Sequence, residues 1–287
     1  LTSLGIILGV AAVILMVSIG EGNKQAALRD IQKLGANNII VRSQKPPEST
    51  SVGSQRRSFL STYGLIDSDL ERITSFVPEA TEIIPLKSIG SEISYGSNRI
   101  TSQAFGTLPE LQEVLNLTVE DGGRYLTDQD QELRSPVAVI GQNIVDKFFR
   151  LENPIGKEIR IDRNVFTVVG VLNPVGLSGG AGGALVGRDL NLDVHIPFST
   201  AEMQFGDVVM RRVSGSFSGS KVRFSEIYVT VNSSDEVITA AERIQKIVDV
   251  EHASKADVSL IVPWELLENV KRTTFAMNLL LTSIAAI

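Results

Sequence analysis

The chain has no cysteine, only two histidines and a single tryptophan among its 287 residues. Without cysteine it can form no disulfide, no cysteine-ligated zinc site and no thiol nucleophile. The lack of disulfides does not decide the compartment, because many extracytoplasmic proteins have none. The two histidines, His195 and His252, stand far apart in the sequence, and neither has a second histidine nearby. The ligand spacing of a zinc site is therefore absent, and we predict no metal site.

Positive charge is not in excess either. The chain carries 27 Lys and Arg against 33 Asp and Glu, a net charge of -6. Proteins that bind nucleic acid usually present a clustered basic surface that displaces counterions from phosphates. No such stripe is present, so nucleic acid is excluded as a partner. Arg56 and Arg57 could touch anionic headgroups or a partner protein, but a solvated loop pair is the simpler interpretation.

Motifs of enzymes and nucleotide-binding proteins are missing as well. Asp128 and Asp130 could serve as acid and base, but their stretch, LTDQDQE, is also typical of a turn that starts a helix. The glycine-rich residues 179–183 lack the Gly-Lys-Ser/Thr ending of a phosphate-binding loop. We therefore predict no catalytic residue and no cofactor-binding residue, and expect the chain to work by binding, gating or force transmission.

Long apolar runs occur only at the two ends. Residues 1–20 carry no charge and meet the requirement of about 20 residues for crossing a bilayer, so we predict transmembrane helix 1 there. A signal peptide is the competing interpretation, but no Lys or Arg precedes Lys24 and no cleavage site follows. Within this helix, Gly5 and Gly9 form a GxxxG motif that would let another helix pack closely.

Helical stalks are predicted next to the membrane segments. Residues 21–36 continue the first helix as a stalk, and residues 264–287 form a second stalk and the start of transmembrane helix 2. The second apolar run is too short to span a bilayer, and the first residue already lies inside an apolar run. We therefore expect the sequence to be a fragment at both ends.

Between these ends the order strand, helix, strand occurs twice. Two such units can close into one split βαβ sheet of the ferredoxin-like kind, which we assign to residues 37–105 plus 221–263. Residues 106–220 then form an inserted β-rich subdomain. The predicted strands are 38–43, 82–86, 91–95, 99–105, 136–140, 157–161, 165–172, 195–198, 224–231 and 258–262; the predicted helices are 67–76, 108–115, 142–150, 200–205 and 235–251. Residues 44–62 and 173–188 are predicted loops.

Several motifs, in order, resemble one family. The opening LTSLGIILGVAAVILMVSIGEG with LGANNIIV, then EDGGRYLTDQDQELRSPVAVIGQNIVDKFF, NPIGKEIRIDRNVFTVVGVL and IPFST, is similar to MacB-like permeases of the FtsX superfamily of ABC transporters. The resemblance covers nearly the whole chain. It implies an extracytoplasmic α+β domain with a ferredoxin-like and an inserted subdomain, flanked by membrane helices in a bacterial inner membrane.

The resemblance also implies partners and a mechanism. Family members work as homodimers with an ABC ATPase domain or subunit on the cytoplasmic side, so ATP would bind there and this chain would need no cofactor. A periplasmic adaptor or outer-membrane channel is a further expected partner, besides membrane lipid. ATP-driven motion of the membrane helices would pass through the stalks to export a substrate.

Other functions stay open at this point. Within the superfamily, lipoprotein release and control of cell-wall hydrolases occur besides export. A membrane sensor with two helices around an extracytoplasmic ligand-binding domain is a different class, and a membrane-anchored enzyme is a third. The sequence identifies neither the substrate nor whether the ATPase is fused.

Overall fold

The structure, a computed structural model, describes residues 22, 37–46, 60–90, 92–150, 152–174, 189–213, 216–253 and 255–263. The predicted membrane helices, the Gly5 and Gly9 motif and both stalks lie outside these residues, except Gly22, which is helical. Among the described residues, no helix is both long and apolar enough to cross a membrane.

Fourteen strands, six α-helices and one 3₁₀ helix, Leu190–Leu192, are described in these ranges. In chain order they are β1 (Asn38–Ser43), β2 (Leu60–Thr62), α1 (Asp67–Phe76), β3 (Ala80–Ser88), β4 (Glu92–Tyr95), β5 (Asn98–Thr101), β6 (Gln103–Thr107), α2 (Leu111–Val114), α3 (Asp128–Glu132), β7 (Val137–Gly141), α4 (Gln142–Phe148), β8 (Glu158–Ile161), β9 (Asn164–Leu172), β10 (Asp193–Pro197), α5 (Phe198–Phe205), β11 (Val208–Val213), β12 (Ser216–Lys221), β13 (Glu226–Val231), α6 (Ser234–His252) and β14 (Val258–Ile261).

The first and last parts of the chain build one split βαβ unit. Its four strands lie in the order β14-β1-β13-β3, and each pair of neighbours is antiparallel. Helix α1 connects β1 to β3, and α6 connects β13 to β14, so two strand–helix–strand units interlock. This order confirms the predicted α+β fold class and its ferredoxin-like unit.

Alternation of side chains buries both faces of this sheet. On β1, Ile39 and Val41 pack under the two helices with residues such as Ile73 and Ile244. Ile40 points to the other face, as the two-residue period of a strand requires. A second cluster covers that face; it contains Ile40, Ile84, Leu86, Phe105, Leu111, Val114, Leu115, Leu117, Tyr125, Leu126, Val139, Leu172 and Tyr228. The sheet of the split unit therefore has a hydrophobic core on each of its faces.

The sheet continues beyond β3 into the inserted region. Its further order is β6-β10-β7-β9-β8-β4-β5, with β10 parallel to β6 and β7 parallel to β9. The link is short: Lys87 and Ser88, at the end of β3, pair with Gly106 and Phe105 of β6. One eleven-stranded sheet thus runs through both parts.

Strand pairing differs from the predicted division near residue 105. The hairpin β4–β5, which we assigned to the split unit, pairs with β8 of the inserted region. Fully buried Ile93 of β4 packs there with Ile159 and Phe166. The alternating pattern of residues 91–95 predicts a strand but does not encode its partner. The division into two subdomains remains a prediction, with the strand pairing placing β4 and β5 on the inserted side.

A separate three-stranded sheet was not predicted. Strands β11 and β12 form an antiparallel pair, and β12 also runs parallel to β2. Strand β2 lies inside the segment 44–62 that composition predicts as a loop. Its three residues become a strand only by pairing with residues about 160 positions later, which local composition cannot show.

Candidate functional site

Both connections to the predicted stalks leave the domain at one end. In the antiparallel pair β1–β14, Ile40 lies opposite Ile261 and Ser43 opposite Val258. The start of β1 and the end of β14 are therefore neighbours. We call this end of the split unit the base.

Polar side chains fasten the base to the rest of the domain. Asn38, almost fully buried, donates from Nδ2 to the carbonyl oxygen of Val114 at 2.8 Å. Its Oδ1 accepts a hydrogen bond from the Thr230 hydroxyl at 2.9 Å. The first residue of β1 is thus bound both to β13 and to α2 of the inserted region. A displacement of the incoming chain at this point would act on both parts.

The opposite end of the split unit contains a buried group that we call the distal clamp, made of Asp69, His252, Asp257 and Gly64. His252 Nδ1 lies 2.8 Å from Asp257 Oδ1, and its Nε2 lies 3.0 Å from Asp69 Oδ2. The Gly64 amide donates to Asp257 Oδ2 at 2.9 Å. The clamp joins the first turn of α1, the last residue of α6 and the segment before β14.

Burial and hydrogen bonding act in opposite directions on Asp257. Burial raises the pKa of its carboxyl, but the hydrogen bonds from Gly64 and His252 lower it by more, so the pKa lies below its ordinary value. The carboxylate is therefore ionised at neutral pH. An ionised acceptor makes a stronger hydrogen bond to His252, which stabilises the position of the end of α6.

A second charged group, the Arg223 junction, joins the split unit to the inserted region. Arg223 Nε contacts Asp67 of α1 at 2.8 Å, and Nη1 contacts Glu202 of α5 at 2.6 Å. Nη1 also lies 3.3 Å from Asp207, which pairs with Lys87 at the end of β3. Lys87 is 1% exposed, so this pair anchors a buried charge.

The junction influences the charge state of its members. Burial raises the pKa of Asp207, but Lys87 and Arg223 lower it by more, so the net pKa is below the ordinary value. Burial lowers the pKa of Arg223, whereas Asp67 and Glu202 raise it above its ordinary value. Asp207 and Arg223 are therefore both charged at neutral pH. The guanidinium also lies 5.2 Å above the ring of Phe224, which stacks on Phe198 of α5.

The structure gives Asp130 a structural position. Arg124 donates hydrogen bonds to its two carboxylate oxygens at 2.6 and 3.0 Å. The amide and hydroxyl of Thr127 donate to the same carboxylate. Thr127 caps α3, so the predicted helix start is confirmed. Asp128 is exposed on the same helix.

Two further polar side chains, one of them a histidine considered from sequence, lie in the inserted region. His195 is buried on β10, with Nδ1 2.8 Å from the hydroxyl of Tyr125. Ser199, on α5, donates from its hydroxyl to the carbonyl oxygen of Gln131 at 2.6 Å. The arginines 56 and 57 and the glycine-rich residues 179–183 lie outside the described residues.

Sequence reasoning missed both charged groups. His252 and Asp257 are five positions apart, at the end of a helix and the start of a strand, which was a detectable signal. Asp69 is 183 positions from His252, and Asp67 is 156 positions from Arg223. Only the folded topology brings these partners together.

Comparison with known proteins identifies the family of this chain. Residues 1–247 match the model of a family described as the MacB-like periplasmic core domain. The chain is 28% identical over its whole length to the pyoverdine export ATP-binding/permease protein PvdT of Pseudomonas aeruginosa, and spans 39% of that relative. It is 35% identical over 177 residues to the macrolide export protein MacB of Syntrophobacter fumaroxidans, which is 61% of this chain and 24% of the relative.

A solved structure supports the fold. The periplasmic region of MacB from Actinobacillus actinomycetemcomitans superposes with a TM-score of 0.56 at 19% identity, covering 85% of this chain and 97% of that one. At this identity the likeness concerns the fold alone. Since the family model extends over residues 1–247, the chain belongs to the family of MacB-like periplasmic core domains.

Proposed function

We propose that this chain is the extracytoplasmic part of a bacterial ABC-type export permease that works as a homodimer. ATP would bind to an ATPase domain or subunit on the cytoplasmic side, and this chain would carry no cofactor. The names of the relatives, which are export ATP-binding/permease proteins, support the export function.

The observation that carries the proposal is the shared base. Because β1 and β14 are antiparallel neighbours, two membrane helices would enter the domain side by side. A change in the tilt or separation of those helices would then act on one edge of one sheet. This arrangement suits rigid-body coupling between membrane and domain.

Internal contacts give the motion a route through the domain. At the base, Asn38 bonds to Val114 and Thr230, so a displacement of β1 would act on both α2 and β13. At the far end, the distal clamp binds α1 to α6. The Arg223 junction then connects α1 to α5. The proposed movement is therefore one of a stiff body rather than a local loop rearrangement.

The test measures domain motion without needing the unidentified substrate. A spin label is placed on Val250→Cys, at a 71% exposed position near the end of α6, in a full-length transporter with no other cysteine. Double electron–electron resonance should give a distance between the labels of the two protomers, and this distance should change when ATP binds. Absence of an inter-protomer distance would contradict the dimer, and a distance insensitive to ATP would contradict the coupling.

Matched insertions test the route. Flexible four-residue Gly-Ser linkers after residues 36 and 263 should abolish the ATP-dependent distance change while ATP hydrolysis persists. The same linker between residues 96 and 97, in the exposed β4–β5 turn, should leave both intact. Survival of the distance change with linkers at the base would show that the stalks do not carry the motion.

A further inference from the structure

The distal clamp has more carboxylate oxygens than its hydrogen bonds use. Asp69 is fully buried, yet its Oδ1 has no hydrogen-bond partner among the described residues. A buried, unpaired carboxylate oxygen costs free energy, because it has left water without compensation. The oxygen is therefore unexplained by the clamp alone.

Glu251 brings a third ligand atom to the same place. Asp69, Glu251 and His252 each offer one ligand atom, and the three atoms lie within 4.8 Å of one another. Nitrogen and carboxylate oxygen at this spacing are the donors that zinc takes, with bond lengths of about 2.0 to 2.2 Å. In a tetrahedral site such bonds place ligand atoms roughly 3.4 Å apart. The observed 3.0 Å between His252 Nε2 and Asp69 Oδ2 is close to that separation.

The remaining clamp residues have the positions of an outer shell. A metal-bound histidine usually donates its other ring N–H to a carboxylate, which fixes the ring and raises its basicity. Asp257 accepts from His252 Nδ1 at 2.8 Å and is itself held by the Gly64 amide. Nε2 is thus the nitrogen directed at Asp69.

We propose that Asp69, Glu251 and His252 bind a divalent cation of the zinc type at the membrane-distal end of the split βαβ unit. Nothing in the export proposal requires this site. Without metal, both ring nitrogens of His252 lie within hydrogen-bond distance of carboxylate oxygens. In the metal-bound form the Nε2 lone pair would coordinate the cation, any proton on Nε2 would leave to water, and a water would fill the fourth position.

Access and competing charge fit a reversible site. The side chain of Glu251 is 28% exposed, so an ion can reach the buried pair from its side. Arg72 contacts Glu251 Oε1 at 2.7 Å and opposes a cation there. The Arg72 side chain is 35% exposed, and its buried Nη1 has no hydrogen-bond partner among the described residues, so cation binding requires Arg72 to release Glu251 and turn toward solvent.

The experiment compares zinc binding by the full-length protein and by three variants. The wild-type chain should bind one more Zn²⁺ per chain than Glu251→Gln, measured by competition with a chromophoric chelator. Asp257→Asn, which retains all three ligands, should bind that zinc about 10- to 100-fold more weakly. Glu242→Gln, an exposed change on the same helix, should bind like the wild type.

Glu251 is chosen because its replacement leaves the buried Asp–His–Asp contacts in place. Thermal unfolding without metal should then be nearly the same for Glu251→Gln and the wild type, whereas Zn²⁺ should raise Tm in the wild type and in Glu242→Gln but not in Glu251→Gln. Equal zinc stoichiometry and equal Tm shifts in wild type and Glu251→Gln would overturn the proposal. Mg²⁺, which prefers about six oxygen ligands, should produce no shift.

Discussion

Asp128 and Asp130 occupy the same short helix, yet only Asp130 is held by other residues. Sequence alone could propose either as an acid or base, and the same pattern predicted a helix start. The capping hydroxyl of Thr127 and the hydrogen bonds from Arg124 give Asp130 a structural position. The local pattern Thr-x-x-Asp was sufficient for the helix start, because a capping box involves only neighbouring residues. The contact between Asp130 and Arg124, six positions earlier, was found only in the structure.

At the residue scale we expect Asp130→Asn to lower the free energy of unfolding by about 1.5–3 kcal/mol, since it removes charge-assisted bonds to a buried group. Asp128→Asn, at an exposed position, should cost about 0.3–1 kcal/mol through the helix dipole alone. Denaturant unfolding of both variants at pH 7 checks the order. Equal losses would show that the Arg124 contact contributes nothing.

The same residue predicts a pH dependence. Burial raises the pKa of Asp130, but Arg124 and Thr127 lower it by more, so the folded pKa lies below the unfolded value of about 3.9. A depressed carboxyl pKa gives stability that is present above the unfolded pKa and lost as pH falls toward the folded pKa. The difference in unfolding free energy between wild type and Asp130→Asn should therefore shrink below about pH 4. A constant difference down to pH 2 would contradict this assignment.

At the scale of elements, the sequence predicted the helices and strands that residues close in the chain determine. It missed the strands that form only by pairing with distant residues. Strand β1 appears at its predicted bounds, and the β8–β9 hairpin turns at Asp162 and Arg163, between the predicted strands 157–161 and 165–172. The single predicted strand 99–105 is two strands, β5 and β6, interrupted at Ser102, whose hydroxyl donates to Leu192. Strands β2, β11 and β12 exist only through mutual pairing.

The Arg223 junction is the contact between elements that we expect to be least tolerant of change. Lysine cannot reproduce a planar group that meets Asp67, Glu202 and Asp207 together. Arg223→Lys should lower the free energy of unfolding by about 1–3 kcal/mol. Arg99→Lys, in an ion pair exposed on both sides, should cost about 0.5 kcal/mol or less. Thermal or denaturant unfolding distinguishes the two variants. Equal losses of stability in both would contradict the proposed role of the Arg223 junction.

At the scale of the whole molecule, the predicted interlocked βαβ unit is observed with its antiparallel order β14-β1-β13-β3. Repetition of strand, helix, strand in the first and last parts made this order predictable, since few ways of closing such a sheet exist. The exact extent of the insertion was not predictable, because β4 pairs with β8, more than 60 positions away, and β5 follows as the second strand of its hairpin. The two charged groups depended on that same closure.

Co-purification of ATPase activity tests the proposal that this domain belongs to an ATP-driven exporter. We would purify the full-length native protein from membranes in mild detergent and measure ATP hydrolysis. We expect ATPase activity that co-purifies with the chain and disappears when the Walker lysine of the ATPase is replaced. A pure protein without ATPase would contradict the proposal and favour the membrane sensor.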